Sequence, residues 1–353
     1  MEKRATSKDV ARLAGVSQAT VSYVLNNKQG QTIPLETREK VLKAARLLDY
    51  MPSHAARALG AVRTNCIAVA INKNMLIPRY AQIMEGMRSV LEPEGYRLLL
   101  CTDALSPNGY PDYLSRQIFH RADGILYIGA DGKEPLPSAL EYILDHDIPF
   151  VAYDSCRDQK QISSVNLDYF TGARQATAYF LSLGGKALAY LRPDIDMEQE
   201  RQREAGVRAA VRDCPGATLE VFSDFFPANS QLDGGVITER LRALEHPFRE
   251  FFLRAQTSVP PGTRFISSWG PWAQPMRQLL PPDAEAPAIL SLAYSGPVPA
   301  GYPDPLLLCC SLPNHMAGQA CARLLLERLS GKGEPRQVLL CPAINRPGAP
   351  EIY

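Results

Sequence analysis

Residues 6–26 restrict the fold of this chain more tightly than any other stretch, because they spell out two short helices and the turn between them. Thr6-Ser-Lys-Asp9 has capping-box spacing, a hydroxyl at the helix start and a carboxylate three residues on. Val10, Leu13 and Ala14 follow at helical spacing, Gly15 supplies a turn and Val16 an apolar plug. Ser17 then caps a second helix with Val21, Val24 and Leu25 inward, stopped by Asn26-Asn27. Beyond the polar loop 28–32, Pro34 opens a third helix whose inner face is Val41, Leu42, Ala45 and Leu48. Three short helices with a glycine turn between the first two predict an all-α helix-turn-helix unit.

The outward face of the second helix carries Gln18, Ala19 and Tyr23, with Thr20 and Ser22 beside them and no acidic residue. Such a face can enter a major groove. A glutamine amide can read an adenine edge, an alanine can touch a thymine methyl, and a tyrosine can reach a base or a phosphate. Thr6, Ser17 and Asn26 can bind phosphates, as can the helix N-termini. Charge is consistent with a polyanionic partner: residues 1–63 hold 11 Lys+Arg against 5 Asp+Glu, a net +6, while the other 290 hold 27 against 32, a net −5. On spacing and charge alone, a three-helix core with an inert polar face and a solvated basic segment explains the same residues.

The run Thr6-Ser-Lys-Asp-Val-Ala-Arg-Leu-Ala-Gly-Val-Ser-Gln-Ala-Thr-Val-Ser-Tyr-Val-Leu-Asn26 closely resembles the head of the lactose/galactose-repressor family. So do Thr37-Arg-Glu-Lys-Val41, Leu48-Asp-Tyr-Met-Pro52 and Ala55-Ala-Arg-Ala-Leu59, although the loop 27–33 is slightly longer than is usual there. The resemblance implies a cytoplasmic, nucleoid-associated transcriptional regulator, a repressor, that binds a pseudo-palindromic double-stranded DNA operator as a homodimer. It also implies a division into a DNA-binding domain at 1–51, a hinge helix and linker at 52–63, and a core at 64–353. In the hinge, Pro52 can start a helix, Ser53 is polar, and Ala55, Ala56 and Leu59 line one face. At about two turns it is too short to be stable alone. In the family such a helix orders when two copies meet over the minor groove, which would set Ser53 and Ala56 against DNA and make Leu59 a wedge that kinks the duplex. The plainer reading is a linker with one apolar residue.

From residue 65 apolar strands alternate with amphipathic helices. Strand-like stretches fall at 66–71, 96–101, 124–128, 149–153, 164–167, 187–191, 218–222, 264–267 and 288–293, and helical ones at 80–91, 172–182, 203–212 and 314–329. Short continuous apolar strands predict parallel sheets covered on both faces, and their number predicts an α/β core of two Rossmann-like lobes. Ligands in such folds sit at the carboxyl ends of the strands, here an inter-lobe cleft. Arg121-Ala-Asp-Gly-Ile-Leu126, Ile148-Pro-Phe-Val-Ala-Tyr-Asp154, Val165-Asn-Leu-Asp-Tyr-Phe-Thr-Gly-Ala173 and Leu324-Leu-Leu-Glu-Arg-Leu329 resemble the same family's periplasmic-binding-protein-like core, a likeness that fades after about residue 225. It implies three crossings between the lobes, near residues 160, 295 and 310–330.

By the same resemblance, sugar-binding members hold an effector with an aromatic after the first strand, an aspartate after the fourth and an arginine three residues before a glycine. Tyr80, Asp154 and Arg203, with Gly206, match those positions. Carboxylates and guanidinium groups bond hydroxyl pairs and an aromatic packs on a ring face; an interior ion pair or a helix-end charge is the alternative for Asp154 and Arg203. Ser268-Trp269, followed by Gly-Pro-Trp272, replaces the family's Asn-Asp, and Tyr294-Ser295-Gly296 replaces a stretch with an aspartate. Leu312-Pro313 stands where relatives often place Gln-Pro. The lost anchors argue against a conventional hexose as the small-molecule effector. Trp269 and Trp272, the only tryptophans, either stack on a different ligand or fill a cleft that binds nothing. The candidate cleft residues are therefore Tyr80, Asp154, Arg203, Ser268, Trp269 and Ser295.

Other classes are disfavoured. The longest apolar runs, such as 67–71 and 98–101, are far too short to cross a bilayer, so no membrane partner is expected. The basic N-terminus has no apolar stretch behind it, so no secretory signal is expected either. Cys66, Cys101, Cys156, Cys214, Cys309, Cys310, Cys321 and Cys341 form no Cys-x-x-Cys pair and read as reduced thiols, Cys309-Cys310 as core packing on a strand. The five histidines (His54, His120, His146, His246, His315) are isolated, and no catalytic or phosphate-loop spacing occurs. No metal, cofactor or enzymatic site is expected. Prolines cluster in 260–313, cutting that stretch into short elements, and no terminal leucine heptad predicts a tetramer. Three readings stand: a regulator with an effector cleft; the same DNA-binding regulator with a degenerate cleft, controlled by a partner protein or by abundance; and a small-molecule-binding or enzymatic core with a vestigial head.

Overall fold

Thr6 starts helix α1 (Ser7–Ala14) as a reciprocal cap: its Oγ1 accepts from Asp9 N at 3.4 Å, while Asp9 Oδ2 accepts from Thr6 N at 2.8 Å. Gly15 ends the helix at φ 66°, a backbone state that strains any side chain. Helix α2 (Gln18–Leu25) is opened by Ser17, whose Oγ accepts from Thr20 N at 3.1 Å, and α3 (Leu35–Leu47) packs on both helices. Val10, Ala11, Val21, Val24, Val41, Ala44 and Ala45 form this small core. Leu13, at helical spacing from Val10, is 51% exposed. The buried side of so short a helix centres on Val10 and Ala11, and Leu13 falls off it. The computed structural model describes residues 6–25, 33–48, 64–73, 75, 77–106, 109–115, 121–129, 133–224, 237–281, 287–295, 306–331 and 333–345, with residue 46 and residues 237–246 by backbone alone. Asn26, Ser53, Ala56 and Leu59, with the expected hinge, lie outside the described residues.

The rest of the described chain builds two lobes. The first holds β1 (Cys66–Ile71), β2 (Arg97–Cys101), β3 (Gly124–Ile128), β4 (Phe150–Tyr153), β5 (Ser163–Leu167) and β11 (Gln337–Leu340). They pair in the order β11-β5-β4-β3-β1-β2, all parallel. The second holds β6 (Ala187–Pro193), β7 (Thr218–Asp224), β8 (Arg264–Ser267), β9 (Ile289–Tyr294), β10 (Leu307–Ser311) and β12 (Ala343–Ile344), in the order β12-β10-β9-β8-β6-β7. Only β12 runs antiparallel. Both faces of the inner strands are buried, as the continuous apolar runs require. The helices are α4 (Pro78–Leu91), α5 (Pro137–Asp145), α6 (Tyr169–Ser182), α7 (Glu198–Arg212), α8 (Ile237–Ser258), α9 (Ala273–Leu279) and α10 (Asn314–Leu329).

The chain passes between lobes after β5, where Asp168 caps α6 by accepting from Thr171 N at 2.9 Å; again at Leu312-Pro313, ahead of α10; and again at Cys341-Pro342, between β11 and β12. The crossings expected near 160 and 295 are thus displaced. Residue 160 precedes β5, which pairs with β4 inside the first sheet, and residue 295 joins β9 to β10, neighbours in the second sheet. The crossing expected within 310–330 falls at its start, because α10 packs on the first lobe.

Two close approaches set the geometry of the cleft. A Cβ on Gly206 of α7 would lie 2.4 Å from Phe170 O of α6, and one on Gly270 would lie 2.4 Å from Ala293 O of β9. Glycine at these positions presses α7 onto α6, and the turn after β8 onto the end of β9.

Candidate functional site

On the head, Gln18, Ala19 and Ser22 are exposed on α2 while Thr20 and Tyr23 are half-buried. Ser17 Oγ is 2.8 Å from Thr20 Oγ1, and Gln18 Nε2 donates to Ser7 Oγ at 2.6 Å. The second bond orients the Gln18 amide from the start of α1. Thr6 and Ser17, both exposed, stand at the two helix starts, where N–H groups and the positive end of the dipole favour a phosphate.

Across the carboxyl ends of the first-lobe strands, the side chains are already partnered. Asp154, just past β4 with φ 51°, accepts from Arg79 Nη2 at 2.6 Å and from Tyr169 OH at 2.9 Å. The same Arg79 nitrogen donates to Tyr169 OH at 3.0 Å and to Tyr153 OH at 3.3 Å. Burial opposes the charge of Arg79, but Tyr153, Tyr169 and Asp154 outweigh it and hold the guanidinium more firmly protonated than a free one. Burial likewise pushes the Tyr153 and Tyr169 hydroxyls upward, keeping them neutral donors and acceptors. Tyr153 OH continues to Asn314 Oδ1 at 3.4 Å, Asn314 Nδ2 to Gln82 Oε1 at 2.8 Å, and Gln82 Nε2 to Ser295 O at 3.1 Å, at the end of β9 in the other lobe. Ser295 therefore meets this network through its backbone.

The turn that presents Asp154 has its own support. Glu134 accepts from Cys156 N at 2.9 Å and from Ser155 Oγ at 3.0 Å, bracing a segment in which Cys156 also has positive φ. Burial raises the Cys156 thiol to about 12, and the side chain packs in the first-lobe core.

On the second lobe, Arg203 is 4% exposed and pairs with Glu200, which is fully buried one turn earlier on α7. Glu200 also accepts from Ser268 Oγ and, at 2.7 Å, from Trp269 Nε1. Burial disfavours the Arg203 charge, yet Glu200, Tyr190 and Tyr169 outweigh it and raise its pKa. The Arg203 guanidinium lies 5.2 Å from the centre of the Tyr169 ring, so the two lobes' clusters meet at Tyr169, just past the first crossing.

Of the aromatic residues, Tyr80 packs in a lobe core with the Arg79 guanidinium 6.0 Å from its ring, and Trp272 takes the packing role of the two left open for it. Tyr80 is 2% exposed and belongs to the first-lobe core with Ile83, Met87 and Leu91; Arg79 is the α4 side chain beside Asp154. Trp272 fills the second-lobe core, its ring 4.7 Å from that of Phe248 and 6.3 Å from that of Phe251. Trp269, half-buried, bonds into the cleft cluster through its indole N–H. Arg79, Glu200, Tyr169, Tyr153, Gln82 and Asn314 escaped the sequence reading. Glu200 had a signal: it lies three residues before Arg203, one helical turn, and so on the same face. Among the described residues no group of three His, Cys, Asp or Glu side chains could hold a metal ion, and no helix is long and apolar enough to cross a membrane.

Residues 6–53 match the model of the family described as bacterial regulatory proteins, lacI family. The chain is 29% identical over 337 residues to the HTH-type transcriptional repressor PurR of Vibrio campbellii, covering 95% of each chain. It is 28% identical over 351 residues to the HTH-type transcriptional regulator CelR of Thermobifida fusca, covering 96% of each. Among solved structures it is similar to a transcriptional regulator CelR–cellobiose complex, with a TM-score of 0.58 and 24% identity over 97% of this chain and 99% of that one. It is also similar to the lac repressor dimer bound to operator and the anti-inducer ONPF, with a TM-score of 0.58 and 20% identity over 98% of each chain.

Proposed function

We propose that this chain, which carries a lacI-family head on a core with the fold of lacI-family regulators, is a sequence-specific DNA-binding transcriptional regulator of the repressor type. The observation that carries the reading is the capped, glycine-turned pair α1–α2 within the matched residues 6–53, which leaves Gln18, Ala19 and Ser22 exposed on a helix free of acidic residues. Gln18 and Ala19 read base edges, Tyr23 reaches a base or phosphate, and Thr6, Ser17, Thr20, Ser22 and Asn26 contact the backbone. The domains divide at 1–51, 52–63 and 64–353, with Ser53, Ala56 and Leu59 of the hinge entering the minor groove from two copies of the chain. Its compartment is the cytoplasm.

The cleft between the lobes is the place for a small molecule, and Asp154, Arg203, Ser268 and Trp269 line it with Arg79 and Tyr169. Their mutual pairing favours regulation by something other than a conventional hexose, because a sugar hydroxyl would have to displace partners already at hydrogen-bond distance. A ligand there shifts the equilibrium between lobe arrangements only by its differential affinity for them.

Selection from a random duplex library with the purified full-length protein, followed by sequencing, tests the reading. A two-fold symmetric motif spanning about two helical turns is expected. Folded protein that enriches no motif, alone or with cell extract, would overturn it.

A further inference from the structure

We propose that the second-lobe wall of the cleft is a carboxylate-binding site whose resident ligand is the chain's own Glu200. The observations converge on one carboxyl group. Arg203 Nη2, Ser268 Oγ and Trp269 Nε1 all donate to Glu200, from α7 and from the end of β8, two segments more than sixty residues apart in the sequence. The group is fully buried, and it lies in the first turn of α7, where the helix end favours an anion. It also lies at the carboxyl ends of β6 and β8, where α/β lobes of this kind receive ligands. Gly270, which tolerates no side chain against Ala293 O, fixes the turn that aims the Trp269 indole. The donors are thus built and spaced for a carboxylate, and a side chain occupies them.

This deepens the reading of the cleft as the regulatory site, for it makes that half of the cleft filled before any effector arrives. A free carboxylate finds the guanidinium, hydroxyl and indole already engaged, so the native protein ignores small carboxylates. Truncating the side chain leaves the donors in place around an empty position of matching charge.

The test reads the full-length protein alone, so a failure to bind operator would not touch it. Glu200→Ala should lower the unfolding temperature by about 6 °C or more, since a buried guanidinium loses its partner. Sodium acetate, titrated at ionic strength held constant with sodium chloride, should raise it back in a saturable manner and leave the native protein unmoved. Acetate acting equally on both proteins, or on neither, would overturn the proposal. Should Glu200→Ala fail to fold, Glu200→Gln keeps the volume and removes the charge. The two tryptophans give two indole N–H resonances, and the one lost in Trp269→Phe should move in Glu200→Gln. A Trp269 resonance that does not move equally sinks the idea.

Discussion

Arg79 and Asp154 are 10% and 7% exposed as side chains, a depth at which a charge left alone costs more than the pair gains over two neutral groups. Arg79→Ala and Asp154→Ala should therefore each destabilise the first lobe by about 3–5 kcal/mol. The double variant should cost clearly less than the sum, because neither charge is then orphaned. Urea unfolding of the four proteins measures this coupling, and an additive cycle would mean that the two groups do not sense each other. At this scale the sequence was only partly legible. Tyr80, Ile83, Met87 and Leu91 recur at helical spacing, and that stripe alone assigns Tyr80 to the core. Arg79, about a hundred degrees round the helix, is the α4 side chain that bonds Asp154, with its guanidinium 6.0 Å from the Tyr80 ring. No sequence pattern pairs Arg79 with Asp154, seventy-five residues away, because that contact is made by the sheet.

Helices α4 and α10 come together backbone to backbone. A Cβ on Gly86 would sit 2.1 Å from His315 O, and one on Gly318 would sit 2.1 Å from Ile83 O. The obstacle is main chain, so no rotamer change relieves it and the helices must part. Gly86→Ala should destabilise by about 1–3 kcal/mol, in spite of alanine's better helix propensity. A thermal melt checks the sign, and a stabilised variant would show that the helices are farther apart. Elements with strong patterns were legible to the residue: 66–71, 124–128, 264–267 and 314–329 were read from apolar runs or helical spacing alone. Others carry weak signals. Helix α8 contains Pro247, which reads as a break; β11 has four residues of half-exposed pattern and β12 only two. Those last strands take their identity from partners across the crossings, β11 from β5 and β12 from β10.

The whole chain sets a basic head of net +6 on a core of net −5, so attraction to a polyanion is concentrated in the first sixty residues or so. Phosphate neutralisation then governs affinity for any duplex, and an interface of about 6–10 phosphate contacts loses roughly 10³–10⁵ in affinity between about 50 and 200 mM salt. That loss falls on specific and non-specific DNA alike and says nothing of how sequence is read. Leu59 separates the two contributions, because its side chain is apolar and carries no counterion term. If two copies of it open the central base step of an operator, Leu59→Ala removes a contact that exists only on the kinked, specific duplex. Affinity for the selected operator should then drop while affinity for random duplex, and the salt slope on both, stays as it was. Titrations of native and variant protein on the two duplexes across a salt series decide the matter. Equal losses on both would return residues 52–63 to the status of a tether, and leave sequence reading to α2 alone.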